Sequence, residues 1–456
     1  MFTWAEEAIF YHIYPLGFCG APSMNNNMSE TTSLLEMTKA WVEHMKSLSV
    51  NAIYFGPVFE SLSHGYDTVD YKLIDRRIGT NKDFSDLCKL LHNNDIRVVL
   101  DGVFNHVGRE FWAFKDVIEN GSSSKYCNWF KNLNFSGISP YGDHFCYDSW
   151  NGCHNLVRLN LESNEVKGYL FDVVKTWVEE FDIDGIRLDC ADCLDLEFLK
   201  ELNTFCNRLK PDFWLMGEVV NGDGDYRKWI TEDVLDSVTN YECYKGLYSS
   251  HNDLNFFEIA YSLNRQFNET NGLYKGKALY SFADNHDVNR IASTLNCASH
   301  LYTLYALLFT MPGIPSIYYG SEWGISGVKS NDSDECLRPK LDLLDVSNHS
   351  SNKDLVKAIR KFATIRKESN ALKYGRYKQI LVEHEQFGFA RMTDEECIIV
   401  IVNANKAAVE LCLDIPVSGT KVVDILNDGE VFPIQNGKCH IDAVYPSWAR
   451  ILKVVK

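Results

Sequence analysis

Four short segments of this chain set carboxylates beside histidine, arginine or asparagine: DGVFNH (101–106), GIRLDCAD (185–192), GEV (217–219) and FADNHD (282–287). Carboxyl groups in such company can divide acid and base work between them. One is held ionised as a base or nucleophile, and another is held protonated as an acid. Arg187 stands two residues before Asp189, so on an extended strand both side chains point into the same space. A guanidinium there keeps a carboxylate charged and oriented. A lone acid at a strand end is often a surface cap; four such clusters require a scaffold that brings distant segments to one place.

The scaffold is legible in the apolar pattern. Strand-length apolar runs recur at 9–14, 52–55, 97–104, 185–190, 213–219, 238–242, 278–283 and 314–319. Segments of helical periodicity lie among them at 34–48, 84–93, 165–181, 196–209, 255–266, 302–310 and 355–367. Continuous runs such as RVVLDGVF suit strands buried on both faces, as in a parallel sheet. Eight strands alternating with helices predict an α/β fold, a (β/α)₈ TIM barrel, whose C-terminal rim is the active-site face. The acid-bearing segments fall at the ends of strands three, four, five and seven. Residues 107–158 break the alternation with aromatic, Gly/Ser/Asn-rich text and read as an insertion domain after strand three. Short β-rich pieces separated by turns then predict a C-terminal all-β sandwich over 375–456. The catalytic barrel takes 1–106 and 159–374.

Composition narrows the partners. The 456 residues carry 45 Lys and Arg against 62 Asp and Glu, a net charge of −17. That balance argues against the basic surface nucleic-acid binding needs, and no apolar run reaches the roughly 18 residues of a membrane span. Neither a nucleic-acid nor a membrane partner is expected. The start, MFTWAEEAIF, lacks the basic n-region of a secretory signal, and the 14 cysteines are scattered from Cys19 to Cys439. Both features predict a cytoplasmic protein with reduced thiols. Cys190 and Cys193 have CxxC spacing without a second ligand pair, and read as ordinary thiols.

The four segments, in this order and on these strands, resemble the four conserved regions of the α-amylase superfamily, glycoside hydrolase family 13. HGYDTVDY (64–71), LVRLNLESNEV (156–166) and PGIPSIYYGSEWG (312–324) resemble further segments of that family, so the likeness runs over nearly the whole chain. It implies a retaining hydrolase of α-1,4 bonds in maltodextrins. Such chemistry needs a carboxylate below the anomeric carbon and a protonated acid beside the leaving oxygen, about 5–5.5 Å apart. By resemblance Asp189 is the nucleophile, Glu218 the general acid/base, and Asp287 the group that binds sugar hydroxyls and steadies the distorted ring. Tyr66, His106, Arg187 and His286 would contact substrate, Tyr66 by stacking, and His64 would support them. Asp334 and Arg338 resemble a sugar-binding pair. Trp112, Trp129, Phe130, Tyr141, Tyr147 and Trp150 crowd the insertion, either to stack on sugars or to form its core.

The departures from the family pattern are local. Many relatives carry Lys-His three and four residues after the nucleophile, where this chain has Asp192 and Cys193. Asp192 therefore puts an anion on the acceptor side in place of a cation. The family's structural calcium would use Asn105, and Asn160 stands where many relatives have a ligand aspartate. Calcium prefers six to eight oxygens including carboxylates, so a site with two asparagines is the less favoured reading. The chemistry itself needs no cofactor. LVRLN replaces the QPDLN of many α-1,6-specific members and favours α-1,4 cleavage. With strand one beginning near Ile9, the architecture of the dimer-forming cyclomaltodextrinases is not expected. Three alternatives stay open: an α-1,6-glucosidase, a transglycosylase or phosphorolytic transferase, and a non-catalytic sugar-binding relative. The oligomeric state is also open.

Overall fold

The computed structural model describes residues 4–25, 33–220, 225–330 and 333–456. Eight parallel strands form its centre: β1 (Phe10–Ile13), β2 (Ala52–Phe55), β3 (Arg97–Gly102), β4 (Gly185–Leu188), β5 (Trp214–Gly217), β6 (Ser237–Val238), β7 (Tyr280–Phe282) and β8 (Ile314–Tyr318). They pair in the order β6-β5-β4-β3-β2-β1-β8-β7. A bridge between Thr239 and Tyr280, with Asn240 N–H donating to the Tyr280 carbonyl at 2.8 Å, draws β6 toward β7, so the barrel is nearly closed. The strands are short and buried almost throughout, as the continuous apolar runs require. Phe10, Tyr54, Val99, Trp214, Met216, Tyr280 and Ile314 fill the interior. Trp4 closes the N-terminal end, edge-on to Trp214 at 5.9 Å. The C-terminal end is thereby the open one.

All eight expected strands are present, and the differences have physical causes. The run at 238–242 yields only the two residues of β6, because Asn240 accepts from Cys243 N–H and caps a helix, Tyr241–Asn252. That helix, YECYKGLYSSHN, mixes serines and polar residues into its buried face, which blurs its period. Within the insertion, His106–Gly108, Ser149–Trp150 and Cys153–Arg158 make a small antiparallel sheet. It also holds an unexpected helix, Trp112–Asn120. His106 pairs with Arg158, so both ends of the insertion stay at the rim. A hairpin of Phe59–Ser61 and Thr68–Ile74 follows β2 and carries Tyr66 in its turn.

The C-terminal domain is antiparallel and all-β, around its own core of Ala390, Ile399, Ile401, Val422, Phe432, Ile441 and Leu452. Three of its strands, Val409–Asp414, Val431–Gln435 and Lys438–Val444, escape the sequence reading because alternate residues are exposed and Pro433 interrupts one of them. Among the described residues no helix is long and apolar enough to cross a membrane. All 14 cysteines are free.

Candidate active site

The register of the central strands builds the site. Asp101 lies opposite Arg187 across β3 and β4, and Met216 lies opposite Arg187 on β5, two residues before Glu218. Arg187, 3% exposed, therefore reaches carboxylates from three strand ends. Its Nη1 donates to Asp101 Oδ1 at 2.8 Å and to Asp189 Oδ1 at 2.9 Å, and its Nη2 lies 2.8 Å from Glu218 Oε2. Burial alone would disfavour the cation. Asp101 and Glu218 outweigh it and hold the guanidinium above its usual value.

Asp101 is 1% exposed and also accepts from the hydroxyls of Tyr54 at 2.8 Å and Tyr66 at 3.1 Å. Sequence reasoning quoted its motif without giving it a role. Its position opposite Arg187 on adjacent parallel strands was the available signal. Asp101 anchors the arginine that orients the other two acids.

Each oxygen of Asp189 has one donor. Arg187 takes Oδ1, and the Cys190 thiol donates to Oδ2 at 2.9 Å. Cys190 adopts a left-handed backbone, φ 43°, which turns the chain sharply after β4. Burial pushes the Asp189 carboxyl up; Arg187 pulls against it while Glu218 and Asp101 add to it, and it settles at about 7. Glu218 accepts from Cys190 N–H at 3.2 Å and from the Tyr241 hydroxyl at 3.3 Å. Asn285 donates to that hydroxyl at 3.1 Å, linking the β5 and β7 ends. Tyr241 opens the helix Tyr241–Asn252, whose first two residues the sequence reading placed at the end of a strand, 238–242.

A second group forms beside β7. Arg338 Nη2 donates to Asp287 Oδ1 at 3.0 Å, and His286 Nε2 lies 3.0 Å from Oδ2. Burial opposes the charge on Asp287, but His286 and Arg338 outweigh it and hold the carboxyl well below the usual carboxylate range. Asp287 stays ionised, with its side chain about one-third exposed at 36%. The Tyr66 hydroxyl bonds His286 Nε2, and the two rings stack at 5.7 Å and 9°. Arg338 lies over the Tyr14 ring at 4.4 Å. Of the expected Asp334–Arg338 pair, only Arg338 reaches Asp287; Asp334 binds Arg338 at 3.2 Å and Lys329 at 3.4 Å.

His106 is 2% exposed, and burial pushes its pKa down to about 3, so it is neutral. Asn105 holds its Nδ1 at 3.2 Å, its Nε2 has no partner among the described residues, and its ring lies 5.8 Å from Trp150. His64 accepts the Tyr66 N–H at 3.3 Å on Nδ1, and its carbonyl accepts from Tyr14. Among the insertion's aromatics, Trp129, Phe130 and Tyr147 are buried as core, whereas Tyr141 is 55% exposed.

The residues suggested for calcium do not fit that ion. The amide of Asn105 is turned to His106. The amide of Asn160 donates to the Asn128 carbonyl at 3.0 Å and accepts from Glu162 N–H at 3.4 Å. Asn105 does line a cavity of about 220 Å³, together with Lys131, Arg158, Glu162, Cys193 and Asp195, but Asn160 is not part of that lining. Arg158 Nη2 donates to the Cys193 carbonyl at 3.4 Å, Lys131 pairs with Glu162, and Asp195 caps Phe198 N–H. Two cationic side chains and two committed carboxylates do not make the oxygen cage calcium needs.

Comparison with known proteins bears on the chain as a whole. The family described as "Alpha amylase, catalytic domain" matches residues 38–371. A cyclomaltodextrinase of Geobacillus thermopakistaniensis is 30% identical over 94% of this chain and 74% of its own length. An intracellular maltogenic amylase of Bacillus subtilis is 27% identical over 90% of this chain and 70% of its own. The solved debranching enzyme of Nostoc punctiforme superposes with a TM-score of 0.83 at 27% identity, covering 99% of this chain and 100% of that one.

Proposed function

The chain belongs to the α-amylase family of glycoside hydrolases, and from that premise we propose that it cleaves α-1,4 bonds of soluble maltodextrins with retention, through a glycosyl intermediate on Asp189. The supporting observation is the single Arg187 guanidinium that holds Asp101, Asp189 and Glu218 from three strand ends.

Glu218 gives its proton to the glycosidic oxygen as the bond from the anomeric carbon breaks. An oxygen of Asp189 forms the new bond to that carbon. Glu218, now ionised, takes a proton from water, which attacks the same carbon and frees Asp189. The guanidinium disperses the negative charge of whichever carboxylate is ionised. Asp287, kept charged by His286 and Arg338, accepts from sugar hydroxyls and favours the positively charged transition state. Neutral His106 has no partner for Nε2 among the described residues, which leaves that nitrogen for a sugar hydroxyl.

Product analysis on maltotriose, isomaltose and maltotriose with phosphate tests the bond and the acceptor. Maltotriose is expected to be cut faster than isomaltose, without sugar phosphate or longer oligomers. Faster isomaltose cleavage would instead establish an α-1,6-glucosidase.

Arg187→Lys is expected to lower kcat about 10²-fold, because a point charge cannot span three carboxylates and small displacements at this centre are costly. An unchanged kcat on maltotriose contradicts the role given to Arg187. The pH profile offers a further check. Asp189 must be ionised to attack, and Glu218 is one of the groups that raise it. In Glu218→Gln, which lacks the charge that helps raise Asp189, kcat/KM on α-maltosyl fluoride should rise with pH with a midpoint below about 7. A midpoint above about 7 contradicts the coupling.

We further infer that the fold needs no calcium: relatives often bind that ion through the backbone carbonyl at the position of Cys193, and here Arg158 Nη2 donates to that carbonyl. Neither excess calcium nor a chelator is expected to move Tm; a rise with calcium contradicts this. The free thiols and the relative named intracellular support a cytoplasmic location.

A further inference from the structure

One group of three metal-capable side chains stands out among the described residues: His106, Asp189 and Cys190, all buried, with ligand atoms within 4.8 Å of one another. In hydrolysis the thiol does no more than donate to Asp189 Oδ2, which a hydroxyl would do as well. Two further observations point to a ligand. Among the described residues His106 Nε2 is unpartnered although the residue is 98% buried, while Asn105 fixes the ring through Nδ1. Three carboxyl groups, Asp101, Asp189 and Glu218, also share the one guanidinium of Arg187, so Asp189 Oδ2 is left to the thiol alone.

We propose that His106, Asp189 and Cys190 bind zinc or a like thiophilic divalent cation, and that the filled site closes the catalytic centre. Nitrogen, carboxylate and sulfur donors suit zinc, whereas magnesium and calcium take oxygen. The thiol proton now bridges Cys190 Sγ and Asp189 Oδ2 at 2.9 Å. The cation takes the place of that proton: a metal–sulfur bond forms, the S–H bond breaks, and the proton leaves to solvent. Asp189 donates a lone pair, and so does His106 Nε2 once its proton has moved to Nδ1, where the Asn105 amide, turned over, accepts it through its oxygen; a fourth position stays open to water. Sulfur and oxygen must part to about 3.5 Å for tetrahedral ligation. Arg187 occupies Oδ1, so Oδ2 is the oxygen the metal takes. An Asp189 so engaged cannot attack a sugar, and metal and substrate exclude each other.

Cobalt(II) is the probe, because a cobalt–thiolate bond gives a near-ultraviolet charge-transfer band that carboxylate and imidazole ligation lack. The full chain is expected to develop this band, to lose it in Cys190→Ser, and to keep it in Cys193→Ser, whose thiol is exposed. Zinc should inhibit maltotriose hydrolysis competitively and reversibly with chelator, at least tenfold less potently in Cys190→Ser, each protein compared with its own zinc-free rate. Glu218→Gln keeps all three ligands and needs no cysteine change; saturating maltotriose is expected to abolish its cobalt band. A band that persists in Cys190→Ser, or that maltotriose leaves intact in Glu218→Gln, overturns the assignment. The band is read without turnover, so its failure is distinct from a failure of the hydrolase reading.

Discussion

Replacing Asp189 with asparagine is expected to lower kcat/KM on maltotriose by about 10⁴-fold or more while raising Tm above neutral pH. An amide cannot form the glycosyl bond, so only substrate positioning and the acid remain to act. The gain in stability comes from the electrostatics that serve catalysis. Burial, with Glu218 and Asp101 beside it, raises the Asp189 carboxyl to about 7 in the folded chain, against about 3.9 unfolded. A group raised on folding contributes stability that is present below its unfolded value and lost as pH rises through its folded one. The parent therefore loses stability across about pH 4 to 7, and the asparagine variant does not. The Tm difference should be small at pH 4 and full at pH 8. An equal difference at both would mean that Asp189 carries no raised pKa.

Glu218→Gln should divide substrates by leaving group. On maltotriose, kcat/KM is expected to fall about 10²- to 10⁴-fold, the worth of a positioned general acid. On α-maltosyl fluoride, whose fluoride departs without a proton, formation of the glycosyl enzyme should stay near the parent rate. Its hydrolysis should then be slow, because no base activates the water, and a burst of fluoride should precede the steady state. The glutamine carbonyl can still accept from Arg187, so Asp101 and Asp189 keep their places. Equal losses on both substrates would remove Glu218 from the acid role.

The parts of this structure legible in the sequence are those with local signals. Barrel strands buried on both faces leave continuous apolar runs, and all eight lie where such runs occur. The helix Tyr241–Asn252 and the strand Val431–Gln435 lack a clean period and stay hidden until tertiary packing is seen. The site divides the same way. Asp189, Glu218 and Asp287 stand in compact motifs. Tyr54 and Arg187 meet at Asp101 through strand register and Tyr66 through the hairpin turn after β2, and Tyr241 meets Glu218 only because a helix begins there. Spacing alone also misleads. The CxxC pair is split, with Cys190 buried on Asp189 and Cys193 exposed. The asparagines suggested for calcium have other partners, Asn105 on His106 and Asn160 on Asn128.

The covalent intermediate on Asp189 is the claim on which the rest depends. Glu218→Gln treated with α-maltosyl fluoride, quenched in acid, digested and analysed by mass spectrometry measures it directly. The account predicts one maltosyl unit, ester-linked to Asp189. A maltosyl unit on Asp101 or Asp287, or a fluoride burst with no labelled peptide at all, would contradict it.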